Sequence, residues 1–379
     1  MAIEAWTRLS QLSFLKASIK DAPVLMPQET FDIARSYAID KQKLELFRIA
    51  STLFVTAFWL FFGLKYLEEF IALNSLLMQT LYVFAFITAN YIIFLPLDIY
   101  SQFVLDKSYG FSNMTPKLFI QDFIKSSAIF AIIGLLVIYA LLWIISSLAN
   151  WWLWCFAFLF ALVVLANWLY PVLFLPLFNK FEPMDDKELE NEIKALAIKS
   201  NFTLAGVFKI DASKRDKRLN AYFAGIGNSK RVALFDTLIQ KLTKDEILAV
   251  LAHEFGHYKN KDLFKGLAIA ALTLFVLCFV FGNLQINGLG NSAAIVAVQF
   301  LLLGGALSFV LSPLTNFLSK ANEFGADDYA LKMGYSNNLA AALTKLVEEN
   351  RSFPKASSVY KLFHYTHPSP LERIERLER

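Results

Sequence analysis

Cysteine and histidine are scarce in this chain, with two of the first and four of the second among 379 residues. Neither Cys155 nor Cys278 has a Cys-x-x-Cys partner, and both fall in apolar stretches. That excludes a disulfide framework and a cysteine-held metal, and leaves both as packing residues. Charge is thin as well: Asp, Glu, Lys and Arg make up 18% of the chain, below the roughly 25% of a soluble globular protein. The net charge of +4 comes with no nucleic-acid recognition motif. The basic cluster "SKRDKRLN" at 213–220 is mixed in sign, so nucleic acid is not an expected partner. No signal peptide is expected either, because Arg8, Lys16 and Lys20 interrupt any apolar core in "MAIEAWTRLSQLSFLKASIKDAP". No internal repeat or low-complexity linker divides the chain.

Apolar side chains are what the sequence has in excess. Hydrophobic residues reach 56%, Phe alone counts 37, and mean hydropathy is +0.48. A membrane span needs about 20 mostly apolar residues, and six runs qualify: 49–66, 76–95, 126–146, 151–175, 266–282 and 293–314. Lys and Arg tend to remain cytoplasmic. They occur in 1–48, around 98–122, in 180–262 and from Lys320 onward, and are missing from 67–75, 147–150 and 283–292. The alternation predicts six transmembrane helices with both termini and both large polar segments in the cytoplasm. The fold class expected is therefore a mainly α-helical, multi-spanning membrane protein with a cytoplasmic unit containing a small β-sheet.

The expected organisation is a cytoplasmic, amphipathic segment (1–48), four spans (49–175) with a cytoplasmic loop at 98–122, a polar segment (176–265), a membrane hairpin (266–314) and a second polar segment (315–379). The first residues are predicted to lie on the membrane surface as a helix with Trp6, Leu9 and Leu12 inward. In the first polar segment, Leu189, Ile193, Leu196 and Ala197 recur at helical spacing. "GVFKID" reads as a strand, and "NAYFAGIGNSKRVALF" as two strands around a turn containing Gly225 and Gly227. Thr243 and Glu246 then stand in capping-box register at the start of another helix. "SKANEFGADDYALKMG" and "NLAAALTKLVEENR" read as helices of the second polar segment.

That capped helix carries His-Glu-Phe-Gly-His at 253–257. One turn apart on one face, His253 and His257 suit two imidazole ligands of a tetrahedral zinc ion. Glu254, offset around the helix, is placed to take a proton from water rather than to bind the ion. With so few histidines, a chance match to this spacing is on the order of a few per thousand. Two histidines leave zinc short of a third protein ligand, and "NEFGADDYA" at 322–330 offers Glu323, with Asp327 one turn on to orient a ligand histidine. A solvated acidic helix face is the structural alternative. His364 and His367, in "HYTHPSPLERIERL", are the remaining candidates for stabilising an oxyanion, together with a nearby arginine.

The series "HEFGH", "NEFGAD" and "THPSPLERIERL" resembles the type I CAAX prenyl endopeptidases, integral-membrane zinc proteases. "YGFSNMTPKLFIQDFIK" at 109–125, "LPLFNKFEPM" at 175–184 and "NAYFAGIGNSKRVALFDTL" at 220–238 are similar to the same family. The resemblance implies that His253, His257 and Glu323 bind one Zn2+, that Glu254 is general base and acid, and that Asp327 supports a ligand. It further implies that His367 and Arg373 act at the active site, and that Asn220, with Ala221 and Tyr222, lies along the substrate backbone. The last point agrees with reading 220–224 as an edge strand able to pair with an extended peptide. The implied substrate is a farnesylated or geranylgeranylated Cys-a-a-X terminus cut after the modified cysteine, with membrane lipid as a further partner. Seven spans enclose the site in that family; this sequence shows six, and residues 1–22 stand where the first is expected.

Two other readings fit parts of the sequence. One is a quality-control protease of the HtpX type with no lipid requirement. The other is a transporter or scaffold with a structural zinc, its path lined by polar span residues such as Asn90, Asn167 and Gln299.

Overall fold

A computed structural model describes residues 1–224, 231–283 and 292–378, with Tyr222 and Ala224 described by backbone alone. Helix α1 spans Ala2–Ala17. It buries Thr7, Gln11 and Leu15 against its neighbours and leaves Trp6 and Leu9 exposed, so the protein covers the side opposite the apolar stripe. Arg8 sits in ion pairs with Glu4 and Glu45. At 16 residues the helix is about 24 Å long, too short and too charged to serve as a span.

Four long helices follow, each passing through a π-helical turn: α2 (Gln28–Phe70), α3 (Leu76–Ser108), α4 (Pro116–Ser147) and α5 (Trp151–Phe178). All four outlast the apolar runs that announce them. Hydropathy registers only the stretch that lipid touches, whereas backbone hydrogen bonding carries the helix on into the polar segments. The first helical run thus crosses the 48/49 boundary without a break. Polar groups among the spans are held locally: Trp59 Nε1 donates to Asn90 Oδ1 at 3.2 Å, and Asn167 Nδ2 donates to the Val163 carbonyl at 2.9 Å. Cys155 and Cys278 are free and buried in one apolar cluster.

The polar unit begins with β1 (Phe181–Pro183), a strand the sequence pattern did not reveal, then α6 (Lys187–Lys199), β2 (Gly206–Ile210), β3 (Ala221–Ala224) and β4 (Arg231–Phe235). Their order is β1-β2-β4-β3, with β2 and β4 parallel and the outer pairings antiparallel. β3 is therefore an edge strand. The predicted turn with Gly225 and Gly227 lies outside the described residues. Leu189, Ile193, Leu196 and Ala197 of α6 are buried, as their spacing predicts, against Val207 and Leu234 of the sheet.

Helices α7 (Asp236–Lys241) and α8 (Lys244–Lys259) come next. The Thr243–Glu246 capping box forms, the Thr243 N–H donating to Glu246 Oε2 at 2.7 Å. Ile247, Leu251 and Phe255 bury α8 in the centre of the unit. The hairpin helices are α9 (Asp262–Asn283) and α10 (Ala293–Lys332), which bring the candidate spans to six. The 40 residues of α10 reach about 60 Å, twice the roughly 30 Å of a hydrocarbon core. Its apolar half spans; its second half, past Pro313 and the 314/315 boundary, returns to α8. Helices α11 (Ser336–Glu349), α12 (Ser358–His364) and α13 (Pro370–Leu377) complete the unit.

Between the two motif histidines, Gly256 lets α8 and α10 touch. A Cβ there would stand 2.9 Å from both the Cα and the carbonyl oxygen of Ala326. Backbone atoms cannot yield as a side-chain tip can, so Gly256→Ala is expected to lose about 1–3 kcal/mol of stability. A thermal melt in detergent reads this, and a melting temperature equal to that of the unaltered protein would show the contact to be dispensable.

Candidate active site

Helices α8 and α10 cross with their histidines and acids facing one another. His253 Nε2 and His257 Nε2 lie 3.1 Å apart, His257 Nε2 is 3.3 Å from Glu323 Oε1, and His253 Nε2 is 3.6 Å from Glu323 Oε2. A tetrahedral ion with nitrogen and oxygen ligands at about 2.0–2.1 Å separates those ligands by about 3.3–3.4 Å. Glu323 Oε2 is also buried without a hydrogen-bond partner, with the Arg373 guanidinium in ion-pair range at 3.3 Å and room left in its coordination for a metal ion. Burial alone would pull the His257 imidazole below its ordinary value, but the carboxylates of Glu323, Asp262 and Glu254 outweigh it and raise it to about 9. Several carboxylates thus call for positive charge at this point, and the donor set fits a divalent metal.

The outer nitrogens of both imidazoles are held. His253 Nδ1 lies 2.9 Å from Asp327 Oδ1, and His257 Nδ1 lies 2.9 Å from Asp262 Oδ2. Carboxylates at these positions fix the ring tautomer with Nε2 free to ligate. Arg373, on α13, grips Asp327 with a two-pronged contact, Nε to Oδ2 at 2.9 Å and Nη2 to Oδ1 at 2.7 Å, and its Nη1 is 3.3 Å from Glu323 Oε2. Another capping box, Ser369 with Glu372, starts α13, and Ile374 and Leu377 bury it, which sets the arginine's position.

These residues border a cavity of about 610 Å3 whose lining includes His253, Glu254, His257, Glu323, His367 and Arg373. Glu254 is half-buried and makes no hydrogen bond or ion pair with another described residue. The His367 side chain is 62% exposed, with Nε2 3.1 Å from Glu323 Oε1. His364 is elsewhere. It stacks on Tyr360 and meets Thr7 Oγ1 at 2.9 Å, docking α1 onto α12.

Asn220 and Ala221 also line the cavity, and the Tyr222 backbone follows in β3; the Tyr222 side chain lies outside what is described. The Phe235 N–H donates to the Asn220 carbonyl at 3.2 Å. Antiparallel pairing alternates, so Ala221 and Phe223 turn their N–H and C=O groups away from β4. Two residues at this site escaped the sequence reading. Asn350 clamps the start of the edge strand, its Oδ1 accepting from the Leu219 N–H at 2.8 Å; no local pattern marks such a long-range contact. Asp262 follows His257 closely enough for a His-x-x-x-x-Asp spacing to have been noticed.

Comparison with known proteins agrees with this geometry. Residues 183–379 match Peptidase family M48, and residues 17–180 match the family described as CAAX prenyl protease N-terminal, five membrane helices. Four candidate spans occupy that stretch here. The CAAX prenyl protease 1 homolog of Arabidopsis thaliana is 32% identical over 407 aligned residues, covering 99% of this chain and 94% of that protein. CAAX prenyl protease 1 of Saccharomyces cerevisiae is 36% identical, covering 75% of this chain and 68% of that protein. The crystal structure of S. mikatae Ste24p superposes with a TM-score of 0.90 at 31% identity, covering 99% of this chain and 95% of that one. A His-His-Glu cluster at the junction of membrane helices and a small sheet, matched along nearly the whole chain, makes this protein a multi-pass membrane metalloendopeptidase belonging to peptidase family M48.

Proposed function

We propose that this protein is a zinc endopeptidase that removes the aaX tripeptide from a prenylated Cys-a-a-X terminus on the cytoplasmic face of its membrane. The observation that carries the reading is one cavity in which the His253–His257–Glu323 cluster, Glu254 and the edge of β3 meet. The polar segments 176–265 and 315–379 work as a single unit, interrupted by the hairpin 266–314. Two imidazoles and a carboxylate with carboxylate-held outer nitrogens are the donor set that zinc favours over harder cations. Bound zinc would supply Lewis-acid polarisation and an acidified water.

The chain's own groups do the rest. A substrate laid along β3 pairs with the outward C=O group of Ala221 and the N–H and C=O groups of Phe223. The Asn220 side chain, whose Oδ1 accepts from the Ala221 N–H at 2.8 Å, marks the start of that track. The Glu254 carboxylate accepts a proton from the attacking water and delivers it to the leaving nitrogen. His367, exposed and at the rim, donates from its ring N–H to the oxyanion as it forms. Arg373 is committed to Asp327, so it holds the ligand set in place. The spans provide an apolar surface for the prenyl chain, with lipid as its continuation.

Matched peptides with and without a farnesyl group test the reading. Burying only four methylenes at about 0.8 kcal/mol each predicts a roughly 200-fold higher kcat/KM for the farnesylated peptide. Chelation should abolish cleavage of both, and added zinc should restore it. Equal cleavage of the two peptides would remove the prenyl requirement and point to a protease acting on membrane proteins generally.

A further inference from the structure

The metal cluster is supported twice, on two different helices, by the same three-part arrangement. On one side the chain runs Arg373–Asp327–His253, with the carboxylate between a guanidinium and a ring nitrogen. On the other it runs Lys265–Asp262–His257: Lys265 Nζ donates to Asp262 Oδ1 at 2.8 Å, and Asp262 Oδ2 faces His257 Nδ1 at 2.9 Å. Lys265 reaches on to Asn322 Oδ1 at 3.3 Å, next to Glu323. Asp262 therefore sits where the outgoing span α9, the motif helix α8 and the returning span α10 meet.

We infer that Asp262 is a positioning residue for the metal site, holding His257 with Nε2 presented to the ion, and that Lys265 keeps that carboxylate in place. This deepens the proposed reading and rests on His257 being a ligand. An aspartate in a first helical turn commonly accepts from backbone N–H groups. Asp262 does not: among the described residues its oxygens go to His257 and Lys265. Its side chain is 8% exposed, and a carboxylate so deeply buried is tolerated only when paired. The turn before it is shaped to deliver it. Lys261 adopts φ +58, a left-handed conformation that an L-residue with a side chain rarely takes. That turn ends α8 and starts α9 soon enough to bring Asp262 beneath the last motif histidine.

Carboxylates behind ligand imidazoles raise their basicity and fix their orientation, and losing one costs about 10–100-fold in metal affinity. The test is chelator competition for Zn2+ on detergent-purified protein, together with the visible spectrum of the Co2+-substituted form. Neither reads peptide cleavage. Asp262→Ala should lower Zn2+ affinity by about 10–100-fold and change the Co2+ spectrum. Asp262→Asn keeps an oxygen to accept from Nδ1–H and should recover much of the loss. Wild-type affinity and an unchanged spectrum in Asp262→Ala would overturn the inference, as would an equal loss in both variants. Should Asp262→Ala not fold, Asp262→Asn decides alone: a several-fold loss of affinity supports the role, and wild-type affinity overturns it. His257→Ala, run alongside, separates this inference from the site reading beneath it. If that variant binds Zn2+ as the unaltered protein does, the ligand assignment has failed and the role of Asp262 falls with it.

Discussion

Glu254→Gln is expected to bind zinc as the unaltered protein does and to cleave peptide at least about a thousandfold more slowly. The substitution keeps the shape of the side chain and removes its ability to accept a proton. No hydrogen bond or ion pair to a described residue is lost, because Glu254 makes none, so stability should hold as well. Zinc content by metal analysis, a thermal melt and a single-turnover cleavage assay together separate loss of chemistry from loss of structure. Cleavage at the unaltered rate would mean that the water's proton leaves by another route, and the assignment of Glu254 would be withdrawn.

The other large effect belongs to Arg373. In Arg373→Met a buried carboxylate, Asp327 at 1% exposure, loses the two-pronged contact that neutralises it. Breaking one side of a buried pair typically costs about 3–5 kcal/mol, chiefly because the remaining charge stays buried and uncompensated. Asp327 in turn holds His253, so zinc affinity should fall together with stability. Arg373→Lys restores charge without the planar fork and should recover only part of each. The melting temperature and zinc affinity of the three proteins check this. A Met variant that matches the unaltered protein in both would show that α13 is anchored by Ile374 and Leu377 alone, with no part in the metal site.

Features with local causes were legible in the sequence. Lipid demands an apolar run whatever the neighbours are, so six spans could be counted. The Thr243 capping box and the His-Glu-Phe-Gly-His spacing are completed within a few residues, so α8 and its metal face could be drawn. Glu323 and Asp327 were recognisable because one helical turn separates them. What lay beyond reach depends on distant partners. Helix ends such as those of α2 and α10 run past their apolar runs because tertiary contacts stabilise them. β1 is too short to carry an alternation, and the Asn350 clamp on Leu219 joins segments far apart in sequence. Arg373 was placed near the site by family resemblance, but only the fold shows that its guanidinium serves Asp327. His364 and His367 look alike in sequence, and the fold gives the first to α1 and the second to the cavity.

Because α10 is one rod from bilayer to metal site, it works as a lever. From the middle of its apolar half, near residue 304, to Glu323 is about 28 Å along the axis. A tilt of about 2° about that point would sweep the carboxylate through about 1 Å, a displacement that can cost roughly a hundredfold in rate. The crossing at Gly256 and Ala326 is then the bearing against which the lever is braced. A Cβ at Gly256 would press on the Ala326 backbone and, at 3.0 Å, on Tyr329 Cβ, so this close fit limits how far the rod can swing against α8.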